Sequence, residues 1–150
     1  MSEPERESME VDVLYVGAGP GNLASAYHLV KQIEAQNAEA EKSGGTAIEM
    51  PVILIIEKAA GLGDHQLSGA VINPRAIKEL MPDFVEQGFP TEYICNDSQF
   101  RMFWRTGGFK SPICPPPFYK NGYHIASLSN VVKWLGAKCE EIGIDIYPGF

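Results

Sequence analysis

Val11-Asp12-Val13-Leu14-Tyr15-Val16-Gly17-Ala18-Gly19-Pro20-Gly21-Asn22 is the stretch on which the fold turns. Its first six residues alternate and are rich in β-branched side chains, the pattern of a buried strand. The strand runs straight into Gly17, Gly19 and Gly21, and then into Leu23, Ala26, Tyr27, Val30 and Ile33, which share one face of a helix. A second apolar run, Val52-Ile53-Leu54-Ile55-Ile56, ends in an acid at Glu57. Strand, glycine turn, helix and strand make a βαβ unit. A second strand that is apolar throughout is expected to be a central parallel strand buried on both faces.

The turn has its own chemistry. Gly17 allows a tight exit from the strand, and Gly19 has no Cβ to hold a diphosphate away from the backbone. The N–H groups and positive dipole end of the following helix favour an anion. With Glu57 placed to accept hydrogen bonds from a ribose, the unit reads as dinucleotide-binding; the bland alternative is a βαβ unit whose glycines serve only packing. Two features depart from the usual pattern. Asn22 stands where the third glycine should allow close helix–strand packing, so the helix is expected to sit further out, or Asn22 to face solvent or cap the helix. The interval from Gly21 to Glu57 also exceeds the roughly 20 residues usual beyond the fingerprint. It is expected to be a surface excursion, helical over 34–42 and stopped by Gly44-Gly45.

The chain has 150 residues, the length of one domain, with 45% hydrophobic and 21% charged residues. No run approaches the roughly 18 apolar residues of a membrane span. A net charge of -7 without clustered Lys and Arg argues against nucleic acid as a partner. Cys95, Cys114 and Cys139 fit neither a disulfide framework nor a metal or cluster spacing, and are expected to be free structural thiols. Residues 1–9 form a polar, acidic tail with neither signal-peptide nor transit-peptide character, which points to the cytosolic compartment.

Beyond Lys58, a glycine-spaced loop ends in Leu67-Ser68-Gly69-Ala70. Asn73-Pro74 is expected to open a short helix that Pro82 stops. Residues 91–95 and 99–105 read as strands, with Thr106-Gly107-Gly108 turning the chain into 109–113. Phe100, Met102 and Trp104 would share one face, a stripe more often core than cofactor cage. Residues 113–119, with three consecutive prolines, read as irregular or polyproline-like; their apolar side chains suit either a buried connector or a membrane or partner contact. Asn121-Gly122 turns the chain into a second amphipathic helix with Leu128, Val131, Val132, Leu135, Cys139 and Ile142 on one face, ended by Gly143. A new strand begins at Ile144, and an ending so soon after it suggests an incomplete fold. Of His28, His65 and His124, only His65 lies in a candidate cofactor loop; His28 is expected to be structural. No nucleophile–base set can be assembled.

Several of these segments together resemble one family. Val16-Gly17-Ala18-Gly19-Pro20, Ile56-Glu57-Lys58-Ala59, the run from Gly63 to Ala70, the run from Ser127 to Gly136, and Ile146-Tyr147-Pro148-Gly149-Phe150 are similar to the N-terminal part of electron transfer flavoprotein-ubiquinone oxidoreductase. The first two occur in many flavoproteins; the others are more specific. The resemblance implies an α/β fold, a Rossmann-like FAD-binding domain of the glutathione-reductase type with a small β-rich insertion. Residues 10–72 would form the FAD-binding βαβ unit and flavin loop, 73–126 the insertion near the quinone and membrane face, and 127–150 the return to the FAD-binding domain. Gly17, Gly19 and Gly21 would face the pyrophosphate of FAD, Glu57 the adenosine ribose, and Leu67, Ser68 and Gly69 the flavin ring, with Lys58 also among the cofactor-binding residues. The implied reaction passes electrons from reduced electron transfer flavoprotein to ubiquinone, with an iron-sulfur cluster held near the C-terminus of the family and not by the cysteines here. The implied location is the cytoplasmic face of a bacterial inner membrane or the mitochondrial matrix face, with the 150-residue chain inactive alone. The alternatives are a geranylgeranyl-reductase-like flavoprotein and a non-catalytic, truncated flavin-binding module.

Overall fold

The computed structural model describes residues 8–150, so most of the polar tail expected over 1–9 lies outside the described residues. In chain order the elements are β1 (Val13–Val16), α1 (Pro20–Ser43), β2 (Ile53–Glu57), β3 (Ala70–Ile72), α2 (Arg75–Leu80), β4 (Tyr93–Ile94), β5 (Arg101–Trp104), β6 (Gly107–Lys110), a 3-10 turn (Pro116–Phe118), β7 (His124–Ala126), α3 (Leu128–Glu141) and β8 (Asp145–Pro148). They divide into two units: the chain up to Asp64 together with Leu135–Phe150, and His65–Trp134.

The first unit is a parallel three-stranded sheet in the order β1-β2-β8. Val13 pairs with Ile53 and Val16 with Ile56, while Leu54 pairs with Asp145. Parallel neighbours need crossover connections, and α1 supplies the first. The order is that of one mononucleotide-binding half of a doubly wound sheet. Leu23, Ala26, Tyr27, Val30 and Ile33 are buried along α1, as their spacing requires. The helix ends where Gly44, at φ 70, takes the left-handed conformation, and Gly45 N–H bonds back to Ala40 O at 2.8 Å.

One face of β2 is closed, with Ile53 and Ile55 buried. The other is not: Leu54 and Ile56 are half-buried, while Leu14 and Val16 of β1 are exposed. The expectation of burial on both faces is therefore corrected. An all-apolar strand shows that both faces can be covered, whereas burial depends on what the rest of the chain brings to each.

The second unit is β-rich and enters the sequence between β2 and β8. Its antiparallel sheet has the order β3-β7-β4, with Ala70 opposite Ala126 and Ile94 opposite His124. Phe84 and Phe89 meet edge to face at 5.1 Å, and Phe89 meets Trp134 at 5.3 Å, a favoured aromatic geometry. Trp134 Nε1–H donates to Gln87 O at 3.0 Å, so the half-buried indole keeps its partner. β5 and β6 pair as a hairpin with Trp104 opposite Gly107, which moves the turn to Arg105-Thr106, earlier than expected. Every residue of this hairpin is exposed, so Met102 and Trp104 are not core. The proline-rich stretch is irregular, as one of its two readings expects, except that Pro116–Phe118 closes into a 3-10 turn where a polyproline run would stay extended, and Phe118 stacks on Phe100 at 5.4 Å. Among the described residues, no helix is long and apolar enough to cross a membrane.

Candidate cofactor site

The site begins where β1 gives way to α1. Gly17 has φ +94, a conformation that side chains strain to adopt, so glycine there is demanded by the backbone. Gly19 and Gly21 are different. Gly19 has an ordinary extended backbone, and a Cβ built on Gly19 or Gly21 would meet nothing within 4 Å. The protein's own packing leaves both positions open, as a cradle for an outside group would be.

The donors for such a group are present. Leu23 N–H makes the first helical bond, to Gly19 O at 3.0 Å. The N–H groups of Gly21 and Asn22 precede that bond, in the first turn, where helical partners do not exist. No side chain caps this end of α1, and no acid sits in its first turn. The residues thus fit the diphosphate of a dinucleotide: open glycines, first-turn N–H groups and a helix dipole directed at the space.

Glu57 closes β2 beside the turn. Its Oε2 accepts Ala18 N–H at 2.7 Å and its Oε1 accepts Ala59 N–H at 2.9 Å. The carboxylate therefore ties the glycine turn to the exit of β2. A hollow of about 240 Å³ lies here, lined by Val16, Gly17, Ile56, Glu57, Lys58 and Phe150. Lys58 is exposed at its rim. Phe150 is brought in by backbone: its N–H donates to Glu57 O at 3.0 Å, and Gly149 N–H donates to Ala59 O at 2.8 Å. Phe150 as a lining residue was missed by sequence reasoning, because only the parallel pairing of β8 with β2 brings the two segments together.

Asn22 departs most from expectation. It neither points to solvent nor caps the helix. Its Nδ2 donates to Val16 O at 3.0 Å and to Gly17 O at 2.8 Å. The glycine turn gave no sign of this; a short amide one turn into the helix, whose side chain leans back towards the N-terminus, is the only signal that could have.

Gly17, Gly19, Gly21, Glu57 and Lys58 all belong to the first unit. Leu67, Ser68 and Gly69 belong to the second, where they are exposed ahead of β3, and Leu67 O accepts Ser129 N–H at 3.3 Å from the start of α3. His65 and His28 are exposed. Cys139 is buried, its Sγ–H donating to Leu23 O at 3.4 Å. Burial first, and the neighbouring Glu140 charge second, push its thiol up to about 12, so it stays protonated and unreactive near neutrality.

Comparison with known proteins extends this picture. No protein-family model matches the chain. It is 37% identical over 149 residues to the mitochondrial electron transfer flavoprotein-ubiquinone oxidoreductase of Arabidopsis thaliana, covering 99% of this chain and 21% of that protein. It is also 37% identical to the probable electron transfer flavoprotein-ubiquinone oxidoreductase of Acinetobacter baylyi, covering 97% of this chain and 24% of that protein. The chain thus spans less than a quarter of the length of these curated relatives. Among solved structures, aklavinone-11 hydroxylase in complex with FAD and aklavinone superposes with a TM-score of 0.56 at 23% identity, over 96% of this chain and 26% of that one. That likeness concerns the fold alone: a Rossmann-like FAD-binding fold.

Proposed function

We propose that this chain, which is homologous to the N-terminal part of the electron transfer flavoprotein-ubiquinone oxidoreductases, binds FAD and serves as the flavin-holding portion of an electron transfer from reduced electron transfer flavoprotein to ubiquinone. The observation that carries the cofactor assignment is the pair of glycines, Gly19 and Gly21, that the protein's own packing does not require. FAD, when bound, supplies the redox chemistry; the protein binds, orients and tunes it.

In this reading the N–H groups around Gly19 and Gly21 hold the diphosphate, Gly17 sets the turn, and Glu57 accepts hydrogen bonds from the adenosine ribose. Lys58 stands at the rim of the same hollow, on the side of the adenosine half. Leu67, Ser68 and Gly69 run beside the flavin ring by the family resemblance. The iron-sulfur cluster that the resemblance implies is assigned to no residue of this chain. The full reaction is not assigned to these 150 residues alone. A reductase of the geranylgeranyl type would share the glycine turn and Glu57, but the relatives matched over nearly the whole chain favour the quinone oxidoreductase reading.

Membrane contact belongs to the same proposal. The β5–β6 hairpin puts Met102, Trp104 and Phe109 on one face and Arg101, Phe103 and Lys110 on the other, all exposed. Apolar and aromatic side chains beside cations suit the boundary between lipid headgroups and acyl chains. Ile113, Phe118 and Tyr119 add exposed apolar surface nearby in sequence. The proposed location is the cytoplasmic face of a bacterial inner membrane or the mitochondrial matrix face, as a peripheral contact.

The deciding experiment is the visible absorption spectrum of the chain after incubation with FAD and gel filtration. A retained flavin band that disappears in Gly19→Val is the expected result. A colourless wild-type protein would overturn the cofactor assignment.

A further inference from the structure

The peptide plane between Gly17 and Ala18 is held at both of its ends. On one side Asn22 Nδ2 donates to Gly17 O at 2.8 Å, and on the other Ala18 N–H donates to Glu57 Oε2 at 2.7 Å. The bond is trans and planar, so its C=O and N–H point in opposite directions. A plane gripped in this way cannot rotate without breaking one of the two bonds. The second N–H of the Asn22 amide goes to Val16 O at 3.0 Å, the last carbonyl of β1. Both partners are acceptors, which fixes the nitrogen end of the amide towards the turn.

From this geometry we propose that Asn22 is a positioning residue: with Glu57 it clamps the Gly17–Ala18 peptide plane and so presets the N–H groups that follow it for a diphosphate. The proposal rests on the FAD reading for its ligand, although the clamp itself exists without one. It also gives Asn22 a role opposite to the one its place suggests. In the usual fingerprint the residue at this position is glycine, which lets helix and strand pack closely. Here the amide ties the start of the helix to the end of the strand with two hydrogen bonds. Replacing it with the usual glycine removes both donors, adds backbone freedom at the first helical turn, and leaves two carbonyls to find water. Ala18, only 2% exposed, has no other way to hold its plane from the carbonyl side among the contacts described.

The test compares wild type, Asn22→Gly and Asn22→Asp in the full chain, with FAD and ADP as probes and amide hydrogen exchange at Ala18 as a readout that needs no ligand. Asn22→Gly should weaken FAD and ADP alike, by about tenfold, because the plane is then no longer preset and must be ordered on binding. Asn22→Asp keeps the shape but cannot donate and adds a negative charge beside the diphosphate, so its loss should be larger. It also serves as the second variant should the glycine loosen the helix itself. Exchange at Ala18 should quicken about tenfold in both while the melting temperature of the ligand-free protein changes little, which a merely structural role would not produce.

Asn22→Gly binding FAD as tightly as wild type, or more tightly, would overturn the proposal. So would unchanged exchange at Ala18. Failure of the wild type to bind FAD would instead sink the cofactor reading, and the exchange comparison would still decide the clamp.

Discussion

The imidazole of His124 packs against the Phe84–Phe89 pair, with ring centroids 5.4 and 5.8 Å away, and its Nδ1 is 2.7 Å from Thr91 Oγ1. Water that would solvate a charged ring is excluded by the aromatic walls. Burial therefore lowers its pKa below the ordinary 6.5, and the Lys78 cation lowers it further. The sign follows from linkage: the unfolded chain binds a proton near pH 6.5 that the folded state refuses, so this contribution is intact above 6.5 and lost as pH falls below it. The urea midpoint of the second unit, followed by intrinsic fluorescence, should drop between about pH 7 and pH 5, and the drop should shrink in His124→Gln. A wild-type midpoint flat over that range would rule this out. The sequence shows His124 only as a single histidine in a short apolar run. Its environment is made by Phe84, Phe89 and Thr91, more than thirty positions away, and no local pattern announces such contacts.

At the level of elements, the sheet β1-β2-β8 has two unlike faces, and stability should follow them. Ile55 is fully buried on the closed face, whereas Leu14 on the open one is 51% exposed. Ile55→Ala removes buried methylenes and leaves a cavity, which costs about 2–5 kcal/mol, while Leu14→Ala should cost under about 1 kcal/mol. Chemical denaturation of the two variants decides it; equal losses would mean that the open face is packed in solution. The same contrast marks what could be read in advance. The βαβ unit was legible because its signals are local: a strand, glycines at a turn, one apolar helical face and an acid ending the next strand. β3 and β7 were not, since each has three residues and exists only through pairings such as Ala70 with Ala126. The aromatic stripe of β5 was half legible. Alternation told which side chains share a face, but whether anything covers that face is decided elsewhere in the chain, and the hairpin stays exposed.

On the scale of the whole molecule, charge sets two tendencies against each other. Nineteen acids against twelve bases give the chain a net charge of -7, so the two partners proposed for it, a diphosphate and an anionic lipid surface, would both be repelled at long range. Each must be held by local features. At the glycine turn these are N–H groups at contact distance, which salt screens little, while the diffuse field of the whole chain is largely screened once the Debye length falls to about 10 Å near 0.1 M salt. FAD affinity should therefore rise, by about two- to threefold, when salt goes from roughly 0.02 to 0.2 M. The hairpin works differently. Arg101, Arg105 and Lys110 are exposed side chains, and such cations gain about 1 kcal/mol each near an anionic surface, an attraction that salt removes. Binding to vesicles containing phosphatidylglycerol should then fall by tenfold or more over the same salt range. Measuring both on one preparation tests the assignments together. Opposite slopes are expected if N–H groups hold the cofactor and side-chain cations hold the lipid; parallel weakening would mean that FAD is also held by exposed charge, and the diphosphate would have to be moved away from the start of α1.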